Sequence, residues 1–159
     1  MGTFDKKHIK NFIHPFSTKE YNERLVKVRK NMEENNIDLL YVTMPENICY
    51  LHGYMTSWYK ANSPMRYPQL YGTLIHVNRE NFIHFDYKTE EPVLAKTSIS
   101  NDNRFFPSRD GKYNLEFLIH QLKNEGWLKG TVALEYWSYI PNRAVSRMIE
   151  SASFGFLNA

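Results

Sequence analysis

The stretch "IDLLYVTMPENICYLHGY", Ile37 to Tyr54, decides the fold. Leu39, Leu40, Tyr41 and Val42 make a nearly continuous apolar run, the pattern of a short strand buried on both faces. The run stops at Met44-Pro45, and proline suits a first helical turn, where its missing N–H would have had no partner anyway. A second, short helix is therefore predicted over about Glu46 to Leu51, with Gly53 placed to end it. A buried strand broken by proline and followed at once by aromatics and His52 admits two readings. Either the turn is catalytic, or it serves a site whose chemistry lies elsewhere.

Working upstream, Ser17-Thr18-Lys19-Glu20 carries the S-x-x-E pattern of a capping box, in which each side chain satisfies an orphan backbone donor. Tyr21, Leu25, Val28 and Met32 then recur at helical spacing, and the helix should stop around Asn35-Asn36. Residues 1–16 show no sustained period and read as an arm. Downstream, Trp58 to Pro68 reads as a long loop. Leu70 to Val77 and Asn81 to Tyr87 read as a hairpin around Asn78-Arg79-Glu80. Thr89 to Ser98 suits a helix with Pro92 near its start, and Arg104-Phe105-Phe106 a short strand. Leu115, Leu118, Ile119 and Leu122 mark a helix closed near Gly126; Thr131 to Glu135 reads as a strand and Pro141 to Glu150 as a last helix. The order predicts a single α/β domain, with a mixed β-sheet flanked by helices, over residues 17–152 and a tail at 153–159.

Composition bounds the function. A hydrophobic share of 42% is ordinary for a globular chain, so a core forms without covalent staples. The charge balance, 20 − 17 = +3, is interleaved; the basic run Asp5 to Lys10 is too short for a nucleic-acid footprint and suits a solvated arm. Cys49 is the only cysteine, which excludes an internal disulfide and a cysteine zinc cluster and fits a reducing, cytoplasmic setting. No apolar run approaches a membrane span, so neither nucleic acid nor membrane is an expected partner.

Candidates for chemistry are few. His76 and His84 face each other only if the hairpin turn has three residues; a two-residue turn puts them on opposite faces, and sheet packing is the simpler role for both. His52, beside a helix end, is placed either to move a proton in a cleft or to answer the helix dipole. Asp38, Asp86 and Glu135 sit at strand ends with no spacing that enforces a cluster. Cys49 lies in an apolar helix without an activating base and reads as a small hydrophobe. The loop "SWYKANSPMRYPQLYG", Ser57 to Gly72, combines the flat surfaces of Trp58, Tyr59 and Tyr67 with the Arg66 fork, which suits a carboxylate. It is equally readable as a binding element and as a loop folded back on its own domain.

The segment "EYNERLVKVRKNMEENNIDLLYVTMPENICYLHGY", with Arg24, Val28, Arg29 and Met32 on its helix, resembles the start of the creatinase/prolidase N-terminal domain. The hairpin from Leu70 to Tyr87 and "GTVALEYWSYIPNRAVSRMIE" continue the same order, so the resemblance covers roughly Ser17 to Glu150. It implies a ribonuclease H-like architecture, standing ahead of a pita-bread catalytic domain that these residues do not contain. In many members that second domain binds divalent metal; the resemblance implies no cofactor for the present residues. It further implies a non-catalytic role: pairing with the protein's own catalytic domain, forming a homodimer, and shaping a site for a peptide or small carboxylate-bearing substrate. Trp58, Tyr59, Arg66 and His52 are the residues expected to contact that substrate in the full-length dimer. Tyr59 matches the family's aromatic by count from Gly53, whereas Arg66 is offset and His52 replaces a threonine or serine, which argues against creatinase specificity. Xaa-Pro dipeptidase or aminopeptidase activity is the first expectation for the parent enzyme, a creatinase-like or ectoine-hydrolase-like C–N hydrolase the next. The competing reading is a stand-alone interaction module without a catalytic half.

Overall fold

A computed structural model describes residues 15–55, 70–108, 111–136 and 147–151. The chain opens with α1 (Thr18–Glu34), then β1 (Leu39–Val42) and α2 (Pro45–His52). The hairpin β2 (Gly72–His76) and β3 (Ile83–Tyr87) follows, then a 3₁₀ turn at Lys88–Glu90 leading into α3 (Glu91–Thr97). The described order closes with β4 (Asn103–Phe106), α4 (Gly111–Glu125), β5 (Val132–Leu134) and helical residues 147–151. No described helix is long and apolar enough to cross a membrane.

Local signals account for most boundaries. Ser17 caps α1, its hydroxyl accepting from the Glu20 N–H at 3.2 Å. Phe16, just before the cap, meets Tyr21 edge-on at 5.9 Å, a hydrophobic staple that fixes the entry of the chain. The return half of the capping box is replaced. Glu20 instead takes a hydrogen bond from Arg24 Nη2, because that guanidinium is buried between the Phe16 and Tyr50 rings and needs an anion. Asn36 ends the turn after α1 with φ 55°, a value asparagine tolerates better than most side chains.

The five strands order as β4-β3-β2-β1-β5 in one mixed sheet. β1 pairs antiparallel with β2 and parallel with β5; β3 pairs antiparallel with β2 and parallel with β4. The hairpin register sets Thr73 opposite His84 and Leu74 opposite Ile83. Side chains alternate along a strand, so His76 and His84 lie on opposite faces and cannot share a metal. His76 packs on Trp127 at 5.4 Å, whereas His84 enters the other layer.

The sheet divides two cores. Leu39, Tyr41, Leu74, Ile83, Phe85 and Phe106 face Leu118, Ile119 and Leu122 of α4, with Trp127 and Ile149. Val42, Ile75 and Phe82 face Leu25 and Met32 of α1, Ile48 and Leu51 of α2, and Leu94 of α3. The molecule is thus a three-layer sandwich, with α1 to α3 on one face and α4 on the other. Arg29 ties α1 to the hairpin tip, its guanidinium donating to the carbonyls of Glu80 (2.6 Å) and His76 (3.4 Å).

Candidate functional site

The expected substrate-facing residues Trp58, Tyr59 and Arg66 lie outside the described residues, which break off at Met55 and resume at Leu70. What the structure shows is how both roots of that segment are held. The first root is the end of α2. Gly53 terminates the helix with φ 83°, and a side chain there would meet the Thr97 carbonyl oxygen at 2.5 Å and Tyr21 Oη at 2.9 Å. Tyr54 is fully buried, and the Met55 N–H donates to Thr97 Oγ1 at 3.2 Å. The second root is Leu70, whose carbonyl accepts from the Tyr41 hydroxyl. The Tyr41 ring lies against Gly72, where an added Cβ would meet its Cε2 at 2.5 Å.

The start of α2 is fixed from a distance. Its N-cap, Met44, makes no side-chain capping bond. The Glu135 carboxylate supplies the acceptor from the end of β5. It takes the Thr43 N–H (2.6 Å), the Thr43 hydroxyl (2.9 Å), the Met44 N–H (2.7 Å) and Asn47 Nδ2 (2.6 Å). A carboxylate among the first N–H groups of a helix is favoured by the macrodipole as well as by the hydrogen bonds. Asp38 makes a similar but separate tie, accepting the Thr131 N–H at 2.7 Å. Asp38, Asp86 and Glu135 therefore serve different places. Among the described residues no group of three His, Cys, Asp or Glu side chains could hold a metal ion.

His52 is not at a surface. Its ring is fully enclosed, stacked on Phe82 at 4.9 Å, and bonded through both nitrogens: Nδ1 to Ser98 Oγ at 2.7 Å and Nε2 to Thr73 Oγ1 at 2.8 Å. Thr73 Oγ1 continues to His84 Nδ1 at 2.9 Å, and His84 Nε2 to Asp86 Oδ2 at 3.4 Å. Burial, and then the neighbouring His84, hold the His52 pKa well below its ordinary 6.5, so the ring is neutral at neutral pH. It is built to hold α2 to the sheet and to the end of α3, where the Ile99 N–H also reaches the His52 carbonyl at 3.0 Å. Beside it, the Glu90 carboxyl is pushed up by burial and by Asp86, while its bond from Tyr54 acts the other way. Cys49 is half-buried, and burial pushes its thiol up, which suits packing rather than attack.

Thr73 and Ser98 carry no local signal to mark them, and Glu135 stands out in the sequence only as a strand-end carboxylate. His84-Phe85-Asp86 does carry a local signal, since alternate strand residues share a face, but its partners depend on the hairpin register.

This architecture recurs in solved structures. A Xaa-Pro aminopeptidase of Streptococcus pyogenes matches with TM-score 0.60 and 14% identity, over 85% of this chain and 86% of that one. A dipeptidase of Pyrococcus horikoshii matches with TM-score 0.56 and 15% identity, over 81% of this chain but 32% of its own. In sequence, an uncharacterised hydrolase/peptidase of Sinorhizobium fredii is 49% identical over 39 residues, 24% of this chain and 10% of the relative. The chain thus spans about a third of the dipeptidase, and its match to the hydrolase/peptidase about a tenth of that protein. The profile of the creatinase/prolidase N-terminal domain matches residues 24–154, from the buried arginine of α1 past the last described helix, and the chain belongs to that family.

Proposed function

We propose that this domain is the non-catalytic front part of a peptidase-like hydrolase that cleaves a C–N bond, with Xaa-Pro peptides as the leading substrate class. The observation that carries the reading is the pair of fixed roots around segment 56–69 within a family fold. Long connections held rigidly at both ends are suited to binding, because the scaffold aims them without taking part in the chemistry. In this role Arg66 holds a substrate carboxylate through its planar fork, and Trp58 and Tyr59 supply apolar surface beside it. His52 acts through Thr73 and Ser98 as a positioning residue for the first root. A divalent metal belongs to the catalytic domain that would accompany this one, and the present residues contribute binding and orientation. A homodimer would bring the segment to the neighbouring subunit's site.

The test is kinetic and is made in the protein that joins this domain to its catalytic half. Arg66→Ala should raise KM for an Xaa-Pro peptide roughly tenfold, the effect of losing a charge-assisted contact, with kcat and the melting temperature little changed. Unchanged kinetics with a large loss of stability would make Arg66 structural and remove the substrate role. A native mass in source cells well above 18.9 kDa is expected. A native mass equal to that value would favour a free-standing binding module instead.

A further inference from the structure

The series Ser98, His52, Thr73, His84, Asp86 has a property that its packing role does not require: its protons are countable. His52, Thr73 and His84 are fully buried, Asp86 nearly so, and Ser98 at the far end is half-buried. An ionised Asp86 accepts from His84 Nε2–H. A neutral His84 then offers only an acceptor at Nδ1, so the Thr73 hydroxyl donates to it. Thr73 Oγ1 in turn accepts from His52 Nε2–H, and His52 Nδ1 accepts from the Ser98 hydroxyl. Every link is made, and all point the same way, from Ser98 toward Asp86.

One added proton is absorbed without losing a bond. Placed on His84, the ring that faces a carboxylate, it leaves His52 neutral between its serine and threonine partners. His84 Nδ1–H now donates to Thr73, Thr73 donates to His52 Nε2, and His52 Nδ1–H donates to Ser98 Oγ. The series has reversed, and the displaced Ser98 hydroxyl proton swings to the half-open end. A second proton, on His52, finds no such arrangement. Both rings then donate to Thr73 Oγ1, the Thr73 hydroxyl proton has no acceptor in the series, and cationic rings 5.2 Å apart share Asp86.

The other groups facing this series do not offset that second charge. Phe82 stacks on His52, Tyr54 meets the His84 ring edge-on at 4.9 Å, and α1 presents Tyr21 beside Gly53. Glu90, in the turn before α3, is occupied by Tyr54 and stands near Asp86, another carboxylate. Thr97 is committed to the Met55 N–H and the Val93 carbonyl. Among the described residues the ion pair of Asp86 is with His84.

We propose that this series is a two-step acid switch, which takes up one proton by reversing its hydrogen-bond direction and releases the corner between α2 and α3 from the sheet on the second. The corner is the set of ties made by the Met55, Ile99 and Ser100 N–H groups to Thr97, His52 and Ser98. Its opening would release these three ties while the sheet stays paired.

The experiment follows imidazole ¹⁵N shifts and amide exchange together on the full chain, from about pH 8 to about pH 4.5. Uptake of a single proton by the series should leave protection at Met55, Ile99 and Ser100 unchanged. Uptake by His52 should follow at lower pH and coincide with at least a roughly tenfold loss of protection there, while the β2 and β3 amides stay protected. Titration of His52 with those amides still protected would overturn the proposal, as would loss of protection only with global unfolding. Thr73→Val keeps the shape and removes the relay hydroxyl. It should make the corner open with the first proton, moving the midpoint of amide loss up by about one pH unit; an unmoved midpoint would overturn the reversal step. Should that variant not fold, the measurement on the unaltered chain decides alone.

Discussion

On the α4 side of the sheet, Phe85 packs against Phe106 at 5.9 Å and Phe117 at 6.3 Å, and the buried side chains around them are almost all apolar. On the opposite side, the same β2 and β3 strands present Thr73, His84 and Asp86 to α2 and to the end of α3. Alternation along β3 is enough to produce both: Phe85 points one way, its immediate neighbours the other. The aromatic face gains stability from buried area and indifference to pH. The polar face gains direction, since each hydrogen bond fixes where a neighbouring element can sit, and becomes sensitive to protons in return.

That contrast can be broken in measurable ways. The largest effect should come from Phe85→Ala, which empties the centre of the aromatic face and should cost about 4 kcal/mol in urea unfolding. The loss should be the same at about pH 8 and about pH 5.5, because no titrating group is involved. Glu135→Ala comes next, at about 3 kcal/mol, because it strands the Thr43 and Met44 N–H groups at the buried start of α2. If that loss were below about 0.5 kcal/mol, water would be replacing the carboxylate and the clamp would be incidental.

The smallest effect is the most discriminating. His52 has a folded-state pKa below its unfolded 6.5, so the unfolded chain binds more protons in the interval between the two values. Stability is therefore full above about pH 6.5 and falls as pH drops below it toward the folded-state value. His52→Gln, which does not titrate, should flatten that part of the pH dependence. A slope that survives the substitution would assign it to other groups.

The readable and unreadable parts of the molecule divide along a related line. The run from Ser17 to Gly53 announces itself because each boundary is set by a residue at the boundary: the Ser17 cap, Pro45 in the first turn of α2, and Gly53 with its positive φ. The strands and α4 follow from periodicity in the same way. Glu135 does not, since its partners are some ninety positions away and meet it only once β5 lies parallel to β1. The same holds for His52. A histidine near a helix end is compatible with a cleft, and only the Thr73–His84 register shows it enclosed. The box at Ser17 to Glu20 is half formed for a similar reason: Arg24, pressed between aromatic rings, draws Glu20 away from the backbone. Local grammar locates elements, while long-range contacts decide what polar side chains do.

The Tyr41 ring lying against Gly72 has a further consequence. Together with the Gly53 corner it makes the two ends of segment 56–69 sockets rather than hinges, each closed by its own contacts. A scaffold with sockets can accept a replacement insert: changes of length or sequence between Met55 and Leu70 need not be passed on as strain to β1 or β2. In such a design the insert is a replaceable part, while the sheet beneath keeps its register.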